Sequence, residues 1–442
     1  MTTPQTVGII GAGWAGLIAA RELETSGHSV EIFEARDRVG GRTWTDDRWG
    51  MGLEMGGTWV HWMQPYVWAE INRYGAELVV SPYTDEAYWI TDGKTVVGTE
   101  DELDAKLADI MSKVFEGSRK FFPFPHDPYF VLNSDEVDEQ TKEEFRAMDQ
   151  VSITDIIRNS GLSQEEIDLA DSYWSAGYQN DTDKTSVMMA KHWAALSDHR
   201  LSLLDDQTLR YKLKDGMRGI YQQIADGISG LIHLDTPVAV VKHDDSGASI
   251  TLRNGEEKTF DYVICTVPVG ALEHIEFEPA LPERIQKVIE DDWGCKGFKI
   301  WIKIKGHKNI MAYAPSGHPI ALIRSEYFLD DGTTVCVGFG PDRDKIRLDD
   351  VEMVQEIVSR WNPDLEVVDS TGHDWGTDEW TGQTWTTPKQ GQFVMTGPQS
   401  LGETSRLLLA GSDWAAGWNS FVDGAIETGI KSAREIGQRS GE

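Results

Sequence analysis

The stretch that decides the fold is Thr6 to Arg36, "TVGIIGAGWAGLIAARELETSGHSVEIFEAR". Val7 to Ile10 reads as a short buried strand, Trp14 to Leu23 repeats apolar residues at helical spacing, and Ser29 to Phe33 reads as a second strand closed by Glu34. Between strand and helix stand Gly11, Gly13 and Gly16 in the pattern G-x-G-x-x-G. There the first glycine permits a tight turn, the second lets a pyrophosphate approach the backbone, and the third lets the helix lie close on the sheet. The helix start, with Ala15 in its first turn, turns its positive end toward the phosphates. Glu34, eighteen residues beyond Gly16, is placed to accept both ribose hydroxyls and would repel a 2′-phosphate. A lone glycine pattern is weak. Strand, glycines, helix, strand and acid in this order specify a Rossmann-like α/β unit that binds a dinucleotide.

The chain continues with "ARDRVGGRTWT", Ala35 to Thr45, and "EMGGTWVHW", Glu54 to Trp62. The glycine pairs Gly40-Gly41 and Gly56-Gly57 let backbone run against a cofactor, and the guanidinium of Arg42 beside the first pair can bridge phosphate oxygens. Two glycine turns and a surface arginine would not explain why both pairs follow the acid so closely.

The totals bound what this unit serves. At 442 residues the chain exceeds one ordinary core, and its 40% apolar and 26% charged residues are those of a globular protein. No apolar run has membrane-spanning length, and no charged start leads to a cleavage site, so a cytoplasmic protein is expected. Cys265, Cys295 and Cys336 lie far apart in apolar surroundings, read as reduced core residues, and give no metal-binding spacing. A formal charge of −32 excludes a nucleic-acid role, which needs basic surface. It could gather cationic substrates, although solubility explains it as simply.

On these blocks the chain resembles the FAD-dependent amine oxidases, the monoamine, polyamine and L-amino-acid oxidases, over its whole length. Leu53 to Gly75, "LEMGGTWVHWMQPYVWAEINRYG", resembles most closely the bacterial nicotine and pseudooxynicotine oxidases. The resemblance implies a GR2-type flavoprotein: an FAD-binding domain from residues 1–82, 214–285 and 390–442, and a discontinuous α+β substrate-binding domain from 83–213 and 286–389. The first substrate segment reads as helical, with "SITD" and "SQEE" as helix starts. The second, with "GFKIWIKIKG" and "TTVCVGFGP", alternates like a mixed sheet.

The resemblance also assigns residues. It sets Gly11, Gly13, Ala15, Gly16, Glu34, Ala35, Arg36, Gly41, Arg42, Gly56, Gly57, Thr58 and Trp59 on FAD, with Val238 at the adenine. Gly411, Ser412 and Asp413 come near the ribityl and pyrophosphate, although relatives more often carry Glu at the Asp413 position. Val422 and Trp375 come near the isoalloxazine. Lys299 matches a lysine that holds a water against the flavin, whereas Lys303 and Lys305 read as a solvated stripe. His61 and Trp62 are expected to border the cofactor.

The loop "GTDEWTGQTWTTP", Gly376 to Pro388, carries Trp380 and Trp385 just after Trp375, and large rings in a loop need something to pack against or to line. By resemblance Thr384 stands where some relatives attach flavin through cysteine sulfur. A threonine hydroxyl cannot form that thioether, so FAD is expected to be non-covalent. Trp385 and Phe421 match the two walls of an aromatic cage around the substrate amine. Trp380, Trp414 and Trp418 read as packing, and Tyr173, Trp174, Tyr178 and Tyr211 as pocket lining or core. The expected activity is hydride transfer from the carbon beside an amine nitrogen to flavin, followed by iminium hydrolysis, on a secondary or cyclic aromatic amine of the nicotine type. L-amino-acid oxidation, for which Arg200 or Arg210 would hold a carboxylate, and polyamine oxidation are the alternatives. The acceptor is expected to be O2 or a cytochrome c-type protein, with no nucleic-acid, membrane or metal partner, and a homodimer is one expected assembly.

Overall fold

The computed structural model describes residues 3–291, 295–395, 401 and 405–441. The remaining residues of the third cofactor stretch, 390–442, lie outside the described residues. The decisive strand is Thr6–Ile10 and its helix Trp14–Thr25, and the second strand is Ser29–Phe33. Gly11 has φ +101°, and a Cβ on Gly16 would stand 2.0 Å from the Gly11 carbonyl oxygen. The glycines thus allow the turn and the close seat of helix on sheet.

Thr6–Ile10 is central in a five-stranded parallel sheet in the order Leu407–Leu409, Tyr262–Cys265, Thr6–Ile10, Ser29–Phe33, Leu231–His233. Three separated stretches of chain therefore meet at one sheet. The C-terminal helix Val422–Arg439 lies against the first helix, where a Cβ on Gly429 would come 2.5 Å from the Ala15 carbonyl oxygen. Its apolar stripe, Ile426, Ala433 and Ile436, closes the core over that sheet.

A seven-stranded mixed sheet forms the second layer, in the order Val367–Gly372, Phe298–Lys305, Thr333–Gly340, Leu322–Phe328, Ile310–Tyr313, Glu86–Thr91, Lys94–Gly98. The last two strands correct the helical reading of residues 83–213. Asp92 and Gly93, with φ 48° and 69°, make the tight Asp-Gly turn of a hairpin that pairs the start of this segment onto the sheet. Helices follow it. Glu100–Val114, Ile153–Asn159 and Gln164–Tyr178 each start in a capping box, from Thr99, Ser152 and Ser163. The apolar faces of these helices and of the sheet share one core around Trp174, Trp301 and Trp193.

Along Phe298–Lys305, Lys299 parts from the two lysines expected to face solvent. Lys299 is 4% exposed, Lys303 reaches out to Asp331, and Lys305 pairs with Glu366 at the surface. Distance from the sheet centre, rather than face, separates them.

Candidate active site

One continuous cavity runs from the glycine turn into the layer between helices and seven-stranded sheet, with an empty volume of ≈ 2150 Å³ including its solvent-open mouth.

At the glycine turn Gly11, Gly13 and Ala15 line the wall. No side chain caps the helix that begins at Trp14, so its first-turn N–H groups suit phosphate oxygens. Gly13 faces Gly41, where a Cβ on Gly41 would come 3.2 Å from the Gly13 Cα. Glu34 is 6% exposed, accepts from the backbone N–H of Ala12 at 2.7 Å and of Arg36 at 2.9 Å, and lines the cavity beside Ala35 and Arg36. Burial pushes its carboxyl up, opposed by those two donors. Val238 and Gly411 close this end. A dinucleotide fits the uncapped helix start, the bare glycine surface and the buried carboxylate.

Arg42 lines the middle of the cavity. It donates to the Thr384 carbonyl at 3.1 Å, to Ser412 Oγ at 3.1 Å and to Asp413 Oδ1 at 2.7 Å. Asp413 is 1% exposed, and its other oxygen accepts from Val269 N and Gln383 Nε2, both at 3.0 Å. Unlike Gly411 and Ser412, Asp413 is not in the cavity wall. It stands behind Arg42 and holds it. Gly16 also lies off the wall, under the turn it closes.

The second glycine pair is a steric requirement. A Cβ on Gly56 would fall 1.8 Å from the Arg42 carbonyl oxygen, and on Gly57 3.1 Å from Thr43 Cγ2. Thr58, Trp59 and Lys299 continue the wall. Lys299 Nζ donates to the carbonyls of Glu54 at 2.7 Å and Gly56 at 2.9 Å and to Thr58 Oγ1 at 2.5 Å. Burial brings its ammonium down to about 7, with Glu54 and Glu326 opposing and Lys212 assisting. Trp375, 3% exposed, donates from its indole to the Met55 carbonyl at 2.9 Å.

The loop after Trp375 spans both regions. Asp378 accepts from Arg36 at 2.7 Å and meets His373 at 2.7 Å. Trp380, expected to be packing, lines the cavity with the Arg253 guanidinium 4.5 Å over its ring. Thr384 and Trp385 line the cavity further on. Cys295 Sγ lies 3.1 Å from Thr384 Oγ1 but is fully buried behind it. Trp385 donates from its indole to the Gly177 carbonyl at 3.2 Å and leans on Phe339, centroids 6.5 Å apart. Phe421 packs edge-on against Trp193 at 5.3 Å and Trp418 at 5.1 Å. Both rings face the same space, with Val422 next to Phe421.

Of the four aromatic residues read as pocket or core, Tyr173 alone lines the cavity, its hydroxyl donating to Asp205 Oδ1 at 2.6 Å. Trp174 and Tyr178 sit fully buried on the neighbouring stripe of the same helix. Tyr211 packs on Trp62 at 4.9 Å and His61 at 5.6 Å, and none of these three lines the cavity. Sequence reasoning missed Trp193, Phe339, Tyr313 and Gln179, which complete the wall. Where the helices and the seven-stranded sheet form it, the described wall carries Lys299 and no other charged side chain.

A parallel dinucleotide cradle feeding a mainly uncharged aromatic cavity defines an oxidoreductase in which the cofactor does the redox chemistry. A family profile for flavin-containing amine oxidoreductases matches residues 14–437, and the chain belongs to that family. It is 31% identical over 437 residues to a pseudooxynicotine dehydrogenase from a Pseudomonas species, covering 97% of this chain and 84% of that one. It is 29% identical to the nicotine dehydrogenase of Pseudomonas putida, covering 97% and 88%. The fold matches that of cyclohexylamine oxidase from Brevibacterium oxydans at TM-score 0.80, with 18% identity over the whole of both chains. The protein is an FAD-dependent amine oxidoreductase. Among the described residues no helix is long and apolar enough to cross a membrane.

Proposed function

We propose that the substrate is a secondary or cyclic amine carrying an aromatic ring, of the nicotine type, held between Trp385 and Phe421. One observation carries this reading: the cavity wall beyond Lys299 presents mainly aromatic and aliphatic side chains, with the uncharged Gln179 and Thr208 among them and neither carboxylate nor guanidinium among the described residues. An amino acid would need a cation for its carboxylate, yet Arg200 and Arg210 pair with Asp198 and Asp206 and lie off the cavity. A polyamine would need anions for its further ammonium groups. The names of the two Pseudomonas relatives agree with an aromatic amine.

FAD, when bound, accepts hydride from the carbon beside the amine nitrogen. Glu34 takes the ribose hydroxyls, the helix start and Arg42 take the phosphates, and the glycine pairs give the cofactor its passage. Trp385 and Phe421 hold the amine by its faces and exclude water, which favours the uncharged amine whose lone pair drives hydride loss. Lys299, in the cavity wall between the two regions, would border the flavin and could exchange a proton there. With Thr384 at the tether position the cofactor is held without a covalent bond.

Trp385→Ala tests the cage. Anaerobic flavin reduction by a secondary aromatic amine is expected to slow at least tenfold while FAD affinity stays within twofold. Reduction at the normal rate would sink the assignment.

A further inference from the structure

Behind Lys299 lies a second, smaller cavity with an empty volume of ≈ 590 Å³ including its solvent-open part, walled by Thr58, Glu54, Lys212, Lys214 and Tyr327 and by apolar residues such as Val79 and Leu213. Thr58 lines both cavities and accepts a hydrogen bond from Lys299 Nζ. Glu54 is 5% exposed. Its Oε1 accepts from Thr45 Oγ1 and Met217 N, each at 2.7 Å, while Oε2 has no hydrogen-bond partner. Lys212 is 3% exposed and donates to Glu326, which also accepts from Ser81 at 2.8 Å. Lys214 reaches the surface, 2.7 Å from the exposed Glu77. A cavity of this size has room for several waters bound to the polar groups on its wall.

We propose that Thr58, this polar cavity and Glu54 form a proton relay between Lys299 and solvent at Lys214. It rests on the proposed placement of Lys299 beside the flavin. A substrate arriving as an ammonium must lose one proton before its lone pair can drive hydride loss. Neutral Lys299 takes that proton, and the N–H bond broken in the substrate becomes an N–H bond on Nζ. Lys299 then passes a proton to Thr58 Oγ1, whose hydroxyl turns from the Gly56 carbonyl, 3.0 Å away, and releases its own proton to water in the second cavity. Glu54 Oε2 accepts it there and returns it to water at the Lys214 end. Each step breaks and makes one bond to hydrogen, and no electrons move.

The charges fit this direction. Burial raises the Glu54 carboxyl and lowers the Lys299 ammonium, so each moves toward the other. The other groups facing the pair are Lys212, Glu326, Tyr327 and, toward Glu54, Arg218 and Tyr221. Glu54 acts through Thr58 and water and is a positioning residue for the reaction.

Glu54→Gln is the informative variant, because an amide oxygen keeps the bonds from Thr45 and Met217 and only the free oxygen changes. Thr58→Val is the second, interrupting the path at the hydroxyl. Two readouts are taken on FAD-loaded protein. The visible spectrum of the resting flavin is titrated between pH 5 and 10, with Lys299→Met as reference. Proton release to a pH indicator is followed during anaerobic reduction by a secondary aromatic amine. The wild type is expected to give a spectral midpoint that Lys299→Met abolishes. Glu54→Gln is expected to lower that midpoint by about one unit, since an anion is lost, and to slow proton release at least tenfold. Thr58→Val is expected to slow release to the same extent. A wild-type titration identical to that of Lys299→Met overturns both the placement of Lys299 and the relay. A clear Lys299 midpoint, with release unchanged in both other variants, overturns the relay alone.

Discussion

Asp413 offers a test in which two roles for one carboxylate give opposite results. The family pattern sets it near the cofactor, whereas the structure puts it behind Arg42 with four donors on two oxygens: Arg42 and Ser412 on one, Val269 and Gln383 on the other. Asp413→Asn keeps shape and volume but turns one oxygen into an NH2 group. Whichever way the amide lies, that group confronts two donors, and Arg42 loses its ion pair with Asp413. An unsatisfied buried donor costs about 1–3 kcal/mol, and breaking a buried pair from one side costs about 3–5 kcal/mol. These overlap, so a loss of about 4 kcal/mol in unfolding free energy is expected in apoprotein and FAD-loaded protein alike. Urea denaturation of both forms measures it. A change below about 1 kcal/mol in the apoprotein, with FAD binding weakened tenfold or more, would refute the bracing role and return Asp413 to direct cofactor contact.

Lys299→Met removes a buried ammonium without orphaning its acceptors, because the Glu54 carbonyl keeps the Trp301 indole at 3.0 Å and the Gly56 carbonyl keeps the Thr58 hydroxyl at 3.0 Å. The folded lysine titrates at about 7 and an unfolded one at about 10.4, so the unfolded chain binds the proton more strongly between these values and wild-type stability rises with pH there. Relative to Lys299→Met, the wild type is expected to recover stability steadily from pH 7 to pH 10, by up to about 3 kcal/mol, in denaturation experiments; a gap independent of pH would mean an ordinary lysine. Gly56→Ala drives a methyl into the Arg42 carbonyl at 1.8 Å, and protein purified from this variant is expected to carry less than a tenth of the wild-type flavin, read from absorbance. Acid precipitation of the wild type is expected to leave all flavin in the supernatant, and yellow precipitate would contradict the role of Thr384.

What could be read in the sequence was what the backbone dictates locally. Gly11, Gly13 and Gly16 announce themselves because the turn and the close helix seat tolerate no Cβ, and Ser152 and Ser163 announce helix starts through their own side chains. The hairpin at Asp92-Gly93 is equally local, an Asp-Gly turn between strands of ordinary length, and the helical pattern that follows it masks it. The cavity wall was harder. Tyr173, Ala176 and Gly177 face the space while Trp174 and Tyr178, one position round the helix, face the core. Helical spacing separates these stripes but does not say which one meets the cavity. Trp193 and Phe339 join the wall only through the packing of distant segments against Phe421 and Trp385. Trp380, which had no partner in the sequence, finds one in Arg253.

The most direct measurement is the rate at which the bound flavin bleaches, without oxygen, when FAD-loaded protein meets three amines. These are a secondary cyclic amine bearing an aromatic ring, an aliphatic diamine, and an aromatic L-amino acid. An uncharged aromatic wall around one amine is expected to bleach fastest with the first, by at least tenfold over each of the others. Faster bleaching by the amino acid or the diamine would contradict it.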